Sequence, residues 1–219
     1  LHVFDFTLPE AIHLKSQMNL SYEALGGAAS LARVEEINNF LHAHRLTSAS
    51  VAWPAGLNYN GGITYDCATG TLDDTDGGPY SFSALGPKYI DGVGWNGVGY
   101  PSFMALQFVD NSTPRPAEFC GTALGEDPYG GPVYNTKWQT MLAALDRYIV
   151  DKGYEDKAYY YLMNEPQNEA DYDLAAFLAE MSKAVAPNLR LAISEEPKAE
   201  LFANPTYPGA KFDIWIANY

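Results

Sequence analysis

An amide, a carboxylate and a proline follow one another directly after an apolar, aromatic run. The run covers 158–163 and is followed by Asn164, Glu165 and Pro166. Such β-favouring residues are typical of a strand buried on both faces, and proline cannot continue the hydrogen-bonded ladder. Glu165 is therefore predicted at the carboxyl end of a strand, where α/β barrels collect their catalytic groups. The alternative is that Asn164 or Glu165 only caps the next helix.

An acid at a strand end can serve general acid/base chemistry, and one such reaction is the breaking of a glycosidic bond. It requires an acid that protonates the leaving oxygen and a second group that stabilises or attacks the cationic sugar. Glu165 is the candidate acid, with Tyr161 and a ring from the long segment 56–101 as aromatic walls that desolvate it. Glu195 and Glu196 are candidates for the second group, and strand alternation turns one of them away from the site. Both can equally be solvated acids that cap the following helix.

Other strand ends carry residues suited to binding sugars. Asp5 and Asp110 could hydrogen-bond to sugar hydroxyls, although carboxylates at strand ends often only fasten loops. Trp53, Trp215 and Tyr219 end strands and could stack on pyranose faces, although burial against helices explains such rings nearly as well. The sequence therefore predicts a sugar site built from several strand ends.

Neither a metal ion nor a cofactor is predicted. The acidic segment 73–77 resembles a calcium loop, but Leu72 would occupy the first ligand position and no glutamate the twelfth, so a turn is expected. No glycine-rich phosphate loop follows any predicted strand. His44 and Arg45 end a helix, where a structural role at the helix terminus is expected rather than catalysis.

Composition limits the partners. With 219 residues, 47% of them apolar, the chain can bury one sizeable core, and one domain over 1–219 is expected. The formal charge of −14 opposes binding to nucleic acid and to anionic membrane surfaces. No apolar run approaches the roughly 18 residues needed to cross a bilayer. The chain starts at Leu1 without a signal-like apolar block, as expected of a mature or trimmed protein.

Aromatic residues and cysteines give weaker indications. Aromatic residues make up 14% of the chain, which suits either sugar stacking or a ring-rich core. Cys67 and Cys120 lie in loop-like surroundings, so a disulfide between two loops is expected if the protein is secreted. An extracytoplasmic location, in the periplasm, at the cell surface or outside the cell, follows from that interpretation.

Strands and helices are predicted in alternation. The predicted strands occupy 3–6, 49–54, 101–110, 158–165, 189–197 and 212–219. The predicted helices, which have apolar residues at helical spacing, occupy 30–46, 136–151 and 171–185. The segment 56–101 between the second and third strands lacks sustained periodicity and is much longer than an ordinary connection. It is predicted to be an inserted loop.

This alternation requires parallel strands joined by right-handed crossovers. Because several strands end in polar residues and no phosphate loop is present, a (β/α)8 barrel is favoured over an open doubly wound sheet. Six strands are visible, whereas such a barrel commonly needs about 250 residues. The chain is therefore expected to be a fragment, a shortened variant or a barrel completed by a further polypeptide segment.

Four stretches in order, 4–9, 41–47, 151–159 and 164–166, resemble the catalytic barrel of the family 123-like glycoside hydrolases. The resemblance extends from Phe4 to about Trp215. It implies that Glu165 is the proton donor and that the preceding residue, an aspartate in that group, orients an acetamido arm of the substrate. Here the preceding residue is Asn164, which can position the arm but supplies no counter-charge. Losing such a charge commonly lowers turnover by a factor on the order of 100 to 1,000.

The same tripeptide also resembles the end of strand four in a large clan of retaining glycosidases. There the asparagine binds the 2-hydroxyl and the glutamate is the acid/base, while the nucleophile follows a seventh strand that has no counterpart here. The leading expectation is a glycoside hydrolase that acts on a polysaccharide or an amino-sugar glycan. The alternatives are a carbohydrate-binding protein without catalytic activity and a purely structural surface or assembly protein.

Overall fold

The computed structural model describes residues 11–12, 15–16, 30–48, 63–75, 78–109 and 113–216. Five α-helices and eight strands lie in these ranges. The helices are α1 (Leu31–Ala43), α2 (Phe82–Tyr89), α3 (Pro132–Lys152), α4 (Glu169–Val185) and α5 (Ala199–Phe202). The strands are β1 (Thr64–Asp66), β2 (Thr71–Asp73), β3 (Phe103–Gln107), β4 (Glu118–Phe119), β5 (Thr122–Ala123), β6 (Ala158–Asn164), β7 (Arg190–Ser194) and β8 (Ile214–Trp215). The strands predicted at 3–6 and 49–54 lie outside the described residues.

The central feature is a parallel four-stranded sheet in the order β3-β6-β7-β8. Spatial order follows chain order, so each strand pairs with the next one of the sheet along the chain. Helix α3 connects β3 to β6, and α4 connects β6 to β7. The predicted α/β class with parallel strands is confirmed, and β6, which carries the Asn164 end, is an inner strand.

The two long helices begin and end where local chemistry requires it. Pro132 starts α3, where its missing N–H is not needed, and Gly153 ends it with a left-handed φ of +70°. The Asn168 side chain accepts hydrogen bonds from the N–H groups of Ala170 and Asp171 at the start of α4. Both helices begin a few residues before their predicted starts because neither proline nor a polar first turn contributes to apolar periodicity.

The two faces of the sheet are packed differently. Tyr160 and Leu162 of β6 join the large core that includes residues of α3 and α4. Tyr159 and Tyr161 belong to a second, smaller buried cluster with Met104, in β3. Each face of β6 is therefore buried against apolar side chains, as the continuous apolar run predicted.

The segment 56–101 has more structure than the sequence predicted. Its described part contains the β1–β2 hairpin, a short 3₁₀ turn at Gly78–Tyr80 and α2. Helix α2 has Pro87 inside it and only eight residues, so it shows too little periodicity to be recognised from the sequence. The described part of this inserted segment therefore contains short regular elements that the sequence did not predict.

The predicted disulfide is present. Cys67 and Cys120 are joined, and the bond links the turn of the β1–β2 hairpin to that of the β4–β5 hairpin. It therefore ties the inserted segment to the connection between β3 and α3. None of the described helices is both long and apolar enough to cross a bilayer.

Candidate functional site

Glu165 is placed by the end of β6. It has a left-handed backbone, with φ of +48°. Its N–H donates a 3.1 Å hydrogen bond to the Ser194 carbonyl at the end of β7, and its own carbonyl accepts from Gln167 Nε2 at 2.7 Å. Outside glycine such a φ is uncommon, and residues held in it concentrate at functional sites.

The carboxyl group of Glu165 is open to ligands. The residue is exposed, and no hydrogen bond or ion pair joins its carboxylate to any other residue in the described ranges. The Asn168 cap settles the alternative assignment, because α4 begins at Glu169 and neither Asn164 nor Glu165 caps it. The prediction that Glu165 follows the carboxyl end of a strand is confirmed.

A hydrogen-bonded group lies beside Glu165. The Tyr161 hydroxyl donates to Asn164 Oδ1 at 2.7 Å, and Asn164 lies opposite Ser194 in the register of β6 and β7. Burial raises the pKa of Tyr161; the Ser194 side chain opposes the shift through a hydrogen bond, and the negative charge of Glu165 adds to it. The tyrosine is therefore a neutral hydrogen-bond donor at physiological pH, and it holds the amide oxygen of Asn164.

An aromatic ring supports this group from β3. Phe108 stands edge-on to Tyr161, with ring centroids 4.8 Å apart, and its N–H donates to the Tyr161 carbonyl at 2.8 Å. Gln107 is the register partner of Tyr161, so its side chain belongs to the same face. Tyr161 itself is buried, but Glu165 is exposed. Within the described ranges, the expected aromatic enclosure of the carboxyl group is not seen.

The carboxylate of Glu195 forms an ion pair with a lysine. Its Oε1 lies 3.2 Å from Lys198 Nζ, and the same oxygen accepts the N–H of Glu196 at 2.9 Å. Lys198 also donates to the Tyr172 hydroxyl at 2.7 Å, and hydrogen bonding to Tyr172, then to Glu195, raises the pKa of Lys198. Lys198 is itself the residue that precedes α5, so neither glutamate caps that helix.

Trp215 is found away from the Asn164 group. It pairs with Ile193, packs against Phe212 at a ring distance of 5.4 Å and contributes to the large core on the helix side of the sheet. The burial alternative thus describes Trp215 better than stacking on a sugar. The other candidates at strand ends, Asp5, Trp53, Asp110 and Tyr219, lie outside the described residues.

His44 and the acidic segment 73–77, for which structural roles were predicted, make local contacts. His44 follows the last turn of α1, and its Nδ1 lies 2.9 Å from the Phe40 carbonyl. Asp73 Oδ1 accepts hydrogen bonds from the N–H and the hydroxyl of Thr75, which makes a tight turn. The described residues contain no group of three or more potential metal ligands.

Sequence reasoning missed Ser194, Gln107 and Phe108. Ser194 and Gln107 reach the site through strand register, and Phe108 reaches it by following β3. The signal available in the sequence was their position at the ends of predicted strands.

No protein-family model matches the chain, and a comparison with curated proteins finds no match.

Proposed function

We propose that this protein is a glycoside hydrolase in which Glu165 is the general acid/base. The observation that carries the proposal is the exposed carboxyl group of Glu165, which has no partner among the described residues and is held by a left-handed backbone at the carboxyl end of an inner parallel strand. A carboxyl group presented in this way can approach a glycosidic oxygen from the protein surface. The adjoining Tyr161–Asn164 pair supplies a fixed polar contact for the sugar.

The proposal includes a (β/α)8-type barrel. Its support is the strand order, because a doubly wound sheet reverses direction at a switch point whereas the strands of a barrel follow one another around the ring. The small apolar cluster on the face away from the helices is what the interior of a barrel contains. Completion of the ring by further polypeptide, within this chain or beyond it, is part of the proposal.

Each residue of the site has a chemical task. Glu165 protonates the leaving oxygen as the bond to the anomeric carbon breaks, and it later accepts a proton from the attacking water or sugar hydroxyl. Asn164, held through Oδ1 by Tyr161, positions the substituent at carbon 2. Glu195 forms an ion pair with Lys198. It is therefore a weaker candidate, for the group that stabilises or attacks the cationic sugar, than a carboxylate without such a partner.

The substrate is proposed to be a neutral polysaccharide or an amino-sugar glycan. A formal charge of −14 creates a negative potential that repels sulfated or uronate-rich polymers. The ring of Phe108, which is only partly buried, provides apolar surface on which a neutral pyranose can rest. The disulfide supports an extracytoplasmic location, where such polymers are found.

Glu165→Gln tests the proposal directly. The purified variant and the wild type are compared on a panel of aryl glycosides and neutral polysaccharides by release of aryl alcohol or reducing ends. We expect hydrolysis by the wild type and a loss of at least a hundredfold in the variant. Glu126→Gln, a matched change of an exposed glutamate in the connection between β3 and α3, should leave the rate unchanged. An active Glu165→Gln enzyme would refute the assignment.

A glycan-binding protein without hydrolase activity is the second candidate. Two observations favour it: the neutral amide side chain of Asn164 and the ion pair between Lys198 and Glu195. Calorimetry on the same glycan panel separates the two candidates. Binding by the wild type without product release after prolonged incubation would favour the second, and in that case Asn164→Asp tests whether an ionised side chain at this position restores turnover.

A further inference from the structure

A groove lies at the surface between α3 and α4. Asn135 and Gln139 line it from α3, Phe177 and Glu180 from α4, and Tyr207 from the loop that follows α5. Its volume is about 330 Å³, which falls at the lower end of the range for small-molecule sites. The groove therefore has the size of a site for a small ligand or for one unit of a polymer.

Aromatic rings form the apolar part of the groove. Phe177 stands edge-on to Tyr207, with ring centroids 5.6 Å apart, and edge-on to Tyr129, with centroids 5.1 Å apart. All three residues are half-buried, so each is anchored against the core and keeps part of its surface accessible. Phe177 and Tyr207 line the groove itself. Such rings offer fixed apolar faces to a ligand.

Tyr207 is held beside the groove by a loop that is fastened to α4 on both sides of it. Asn204 Nδ2 donates to Asp173 Oδ1 at 2.7 Å, and Asn204 Oδ1 accepts the N–H of Tyr207 at 3.2 Å. After Tyr207, the N–H of Gly209 donates to Glu180 Oε2 at 2.6 Å. A Cβ at Gly209 would lie 2.9 Å from the same oxygen, so glycine permits this close approach. The ring of Tyr207 is therefore preorganised, which lowers the entropy cost of binding.

Hydrogen-bonding groups lie beside these rings. Gln139 Nε2 makes one long hydrogen bond, of 3.4 Å, to the Met181 carbonyl, and Gln139 Oε1 has no partner among the described residues. Glu180 uses Oε2 for the loop, and its Oε1 is likewise without a partner in the described part of the chain. An amide and a carboxylate with spare capacity suit hydroxyl groups, which donate and accept hydrogen bonds.

We infer that this groove binds a neutral saccharide unit, with the sugar ring against Phe177 and Tyr207 and its hydroxyls on Gln139 and Glu180. The inference rests on the proposed function for the class of ligand, and it adds a second glycan site to the one at Glu165. None of the described residues that line the groove is cationic, so an anionic ligand finds no counter-charge there.

The size and lining of the groove favour a sugar over a protein partner. A stable protein interface buries about 800 Å² on each partner, with large apolar side chains at its centre. None of the large apolar side chains that are exposed in the described ranges lines this groove. The combination of half-buried rings with an amide and a carboxylate is instead that of a small polar ligand with an apolar face.

The groove is separate from the carboxyl group of Glu165. Helix α4 starts at Glu169, and Phe177 lies eight residues further along it, a rise of about 12 Å. A glycan held at this second site keeps its other units near the protein, which raises their effective concentration at Glu165. We therefore expect the groove to matter for polymers more than for short glycosides.

Chemical-shift mapping tests the inference by binding alone. The Glu165→Gln protein, labelled with ¹⁵N, is titrated with short neutral oligosaccharides of the glucose, xylose and N-acetylglucosamine series. We expect at least one series to shift the backbone amide signals of Gln139, Phe177, Glu180 and Tyr207. Shifts confined to the surroundings of position 165, or no shifts with any series, would overturn the inference.

Two variants identify the groove as the binding site. Tyr207→Ala removes an aromatic face and should weaken the affinity for the active series about tenfold. Gln139→Ala removes a polar contact from the surface of α3 and should weaken it severalfold, and it keeps the inference testable if Tyr207→Ala fails to fold. Wild-type affinity in a folded Gln139→Ala and a folded Tyr207→Ala protein would overturn the assignment.

Matched controls are available for both variants. Thr140→Ala changes the exposed neighbour of Gln139, whose hydroxyl bonds only to the Thr136 carbonyl among the described residues. Tyr65→Ala removes a half-buried tyrosine that stacks on Phe119 and does not line the groove. Both controls should bind the oligosaccharide with wild-type affinity. Equal losses in the controls and in the groove variants would overturn the assignment in favour of a general effect on the fold.

The outcome is distinguishable from that of the proposed hydrolase activity. Shifts at the groove in a protein whose wild type releases no product support the second site and refute the hydrolase. Product release by the wild type without shifts at the groove supports the hydrolase and overturns the second site. Neither product release nor binding of any oligosaccharide would overturn both.

Discussion

Tyr161 and Asn164 meet through a 2.7 Å hydrogen bond although they are three residues apart on one strand. In a regular strand such residues point to opposite faces. Here the pairing of β6 with β7 shifts register between Tyr161 and Met163, so that Tyr161 lies opposite Ala192 and Asn164 opposite Ser194. The irregularity turns Asn164 onto the face of Tyr161. Register shifts of this kind commonly re-aim side chains next to functional sites.

Tyr161→Phe removes the hydroxyl that holds Asn164 and leaves the ring in place. We expect kcat/KM on the preferred glycoside to fall about tenfold to a hundredfold, because the contact to carbon 2 loses its fixed geometry. Tyr161 is a positioning residue, so the defect should disappear with a 2-deoxy glycoside, on which the wild type and the variant should react at equal rates. The measurement is steady-state kinetics on the matched pair of substrates.

Tyr148→Phe is the control for that experiment. Its hydroxyl donates a 2.7 Å hydrogen bond to Asp74 Oδ2, so the same atom and a bond of the same length are lost from α3. Each variant should lose about 1 kcal/mol of unfolding free energy. Only Tyr161→Phe should lose activity selectively on substrates with a substituent at carbon 2. If Tyr161→Phe reacts normally on both substrates, the amide is not held for catalysis.

The main strands could be predicted because their burial is two-sided. A continuous apolar run at 158–163 predicts a strand covered on both faces, and β6 is such a strand. The register shift at Leu162 could not be predicted, because it depends on how β6 and β7 pair and not on the composition of either. The orientation of Asn164 towards Tyr161 was therefore beyond the reach of the sequence.

The buried tyrosines should make the protein sensitive to alkali. Burial raises the pKa of Tyr159 and of Tyr160 above the ordinary value of about 10. In the unfolded chain these groups ionise above about pH 10, whereas in the folded protein they stay protonated. The unfolded state then binds fewer protons, so stability is fully present below about pH 10 and falls as the pH rises above it.

Each of the two residues should contribute a slope of about 1.4 kcal/mol per pH unit in that range. Urea unfolding at a series of pH values above 9 measures this slope, and tyrosinate absorbance should rise together with unfolding. Tyr159→Phe should reduce the slope by one tyrosine's share. Ionisation of all tyrosines before unfolding begins would contradict the prediction.

The disulfide should contribute substantially to stability. Cys67 and Cys120 are 53 positions apart, and closing a loop of that length corresponds to about 4 kcal/mol in the chain-entropy description. We expect reduction to lower the urea midpoint of the wild type, and the double substitution Cys67→Ser with Cys120→Ser to reproduce that midpoint with or without reductant. A wild-type midpoint that does not respond to complete reduction would contradict this expectation.

The sequence predicted only those parts of the candidate site that are marked by residues adjacent in the chain. Glu165 and Asn164 were found because proline marks the strand end, a local signal. Glu195 and Lys198 are also close in sequence. Whether Glu195 pairs with Lys198 or stays open to a ligand depends on the path of the backbone after β7, which the sequence does not reveal. Trp215 was a stacking candidate, with burial as the alternative, because it was placed near the end of a strand predicted over 212–219. The strand that forms, β8, has only two residues, and Trp215 packs against the large core.

Glu165→Gly should make the protein more stable and inactive. A φ of +48° costs a residue with a Cβ about 1 kcal/mol, and glycine adopts this conformation without that cost. We therefore expect the free energy of unfolding to rise by about 1 kcal/mol, measured by urea titration, while hydrolysis is lost. Glu165→Gln should lose hydrolysis without the gain, because glutamine keeps the strain. Glu126→Gly, at an exposed site without a positive φ, should lose stability and stay active. A rise with Glu126→Gly, or none with Glu165→Gly, would show that relief of strain at Glu165 is not the source of the gain.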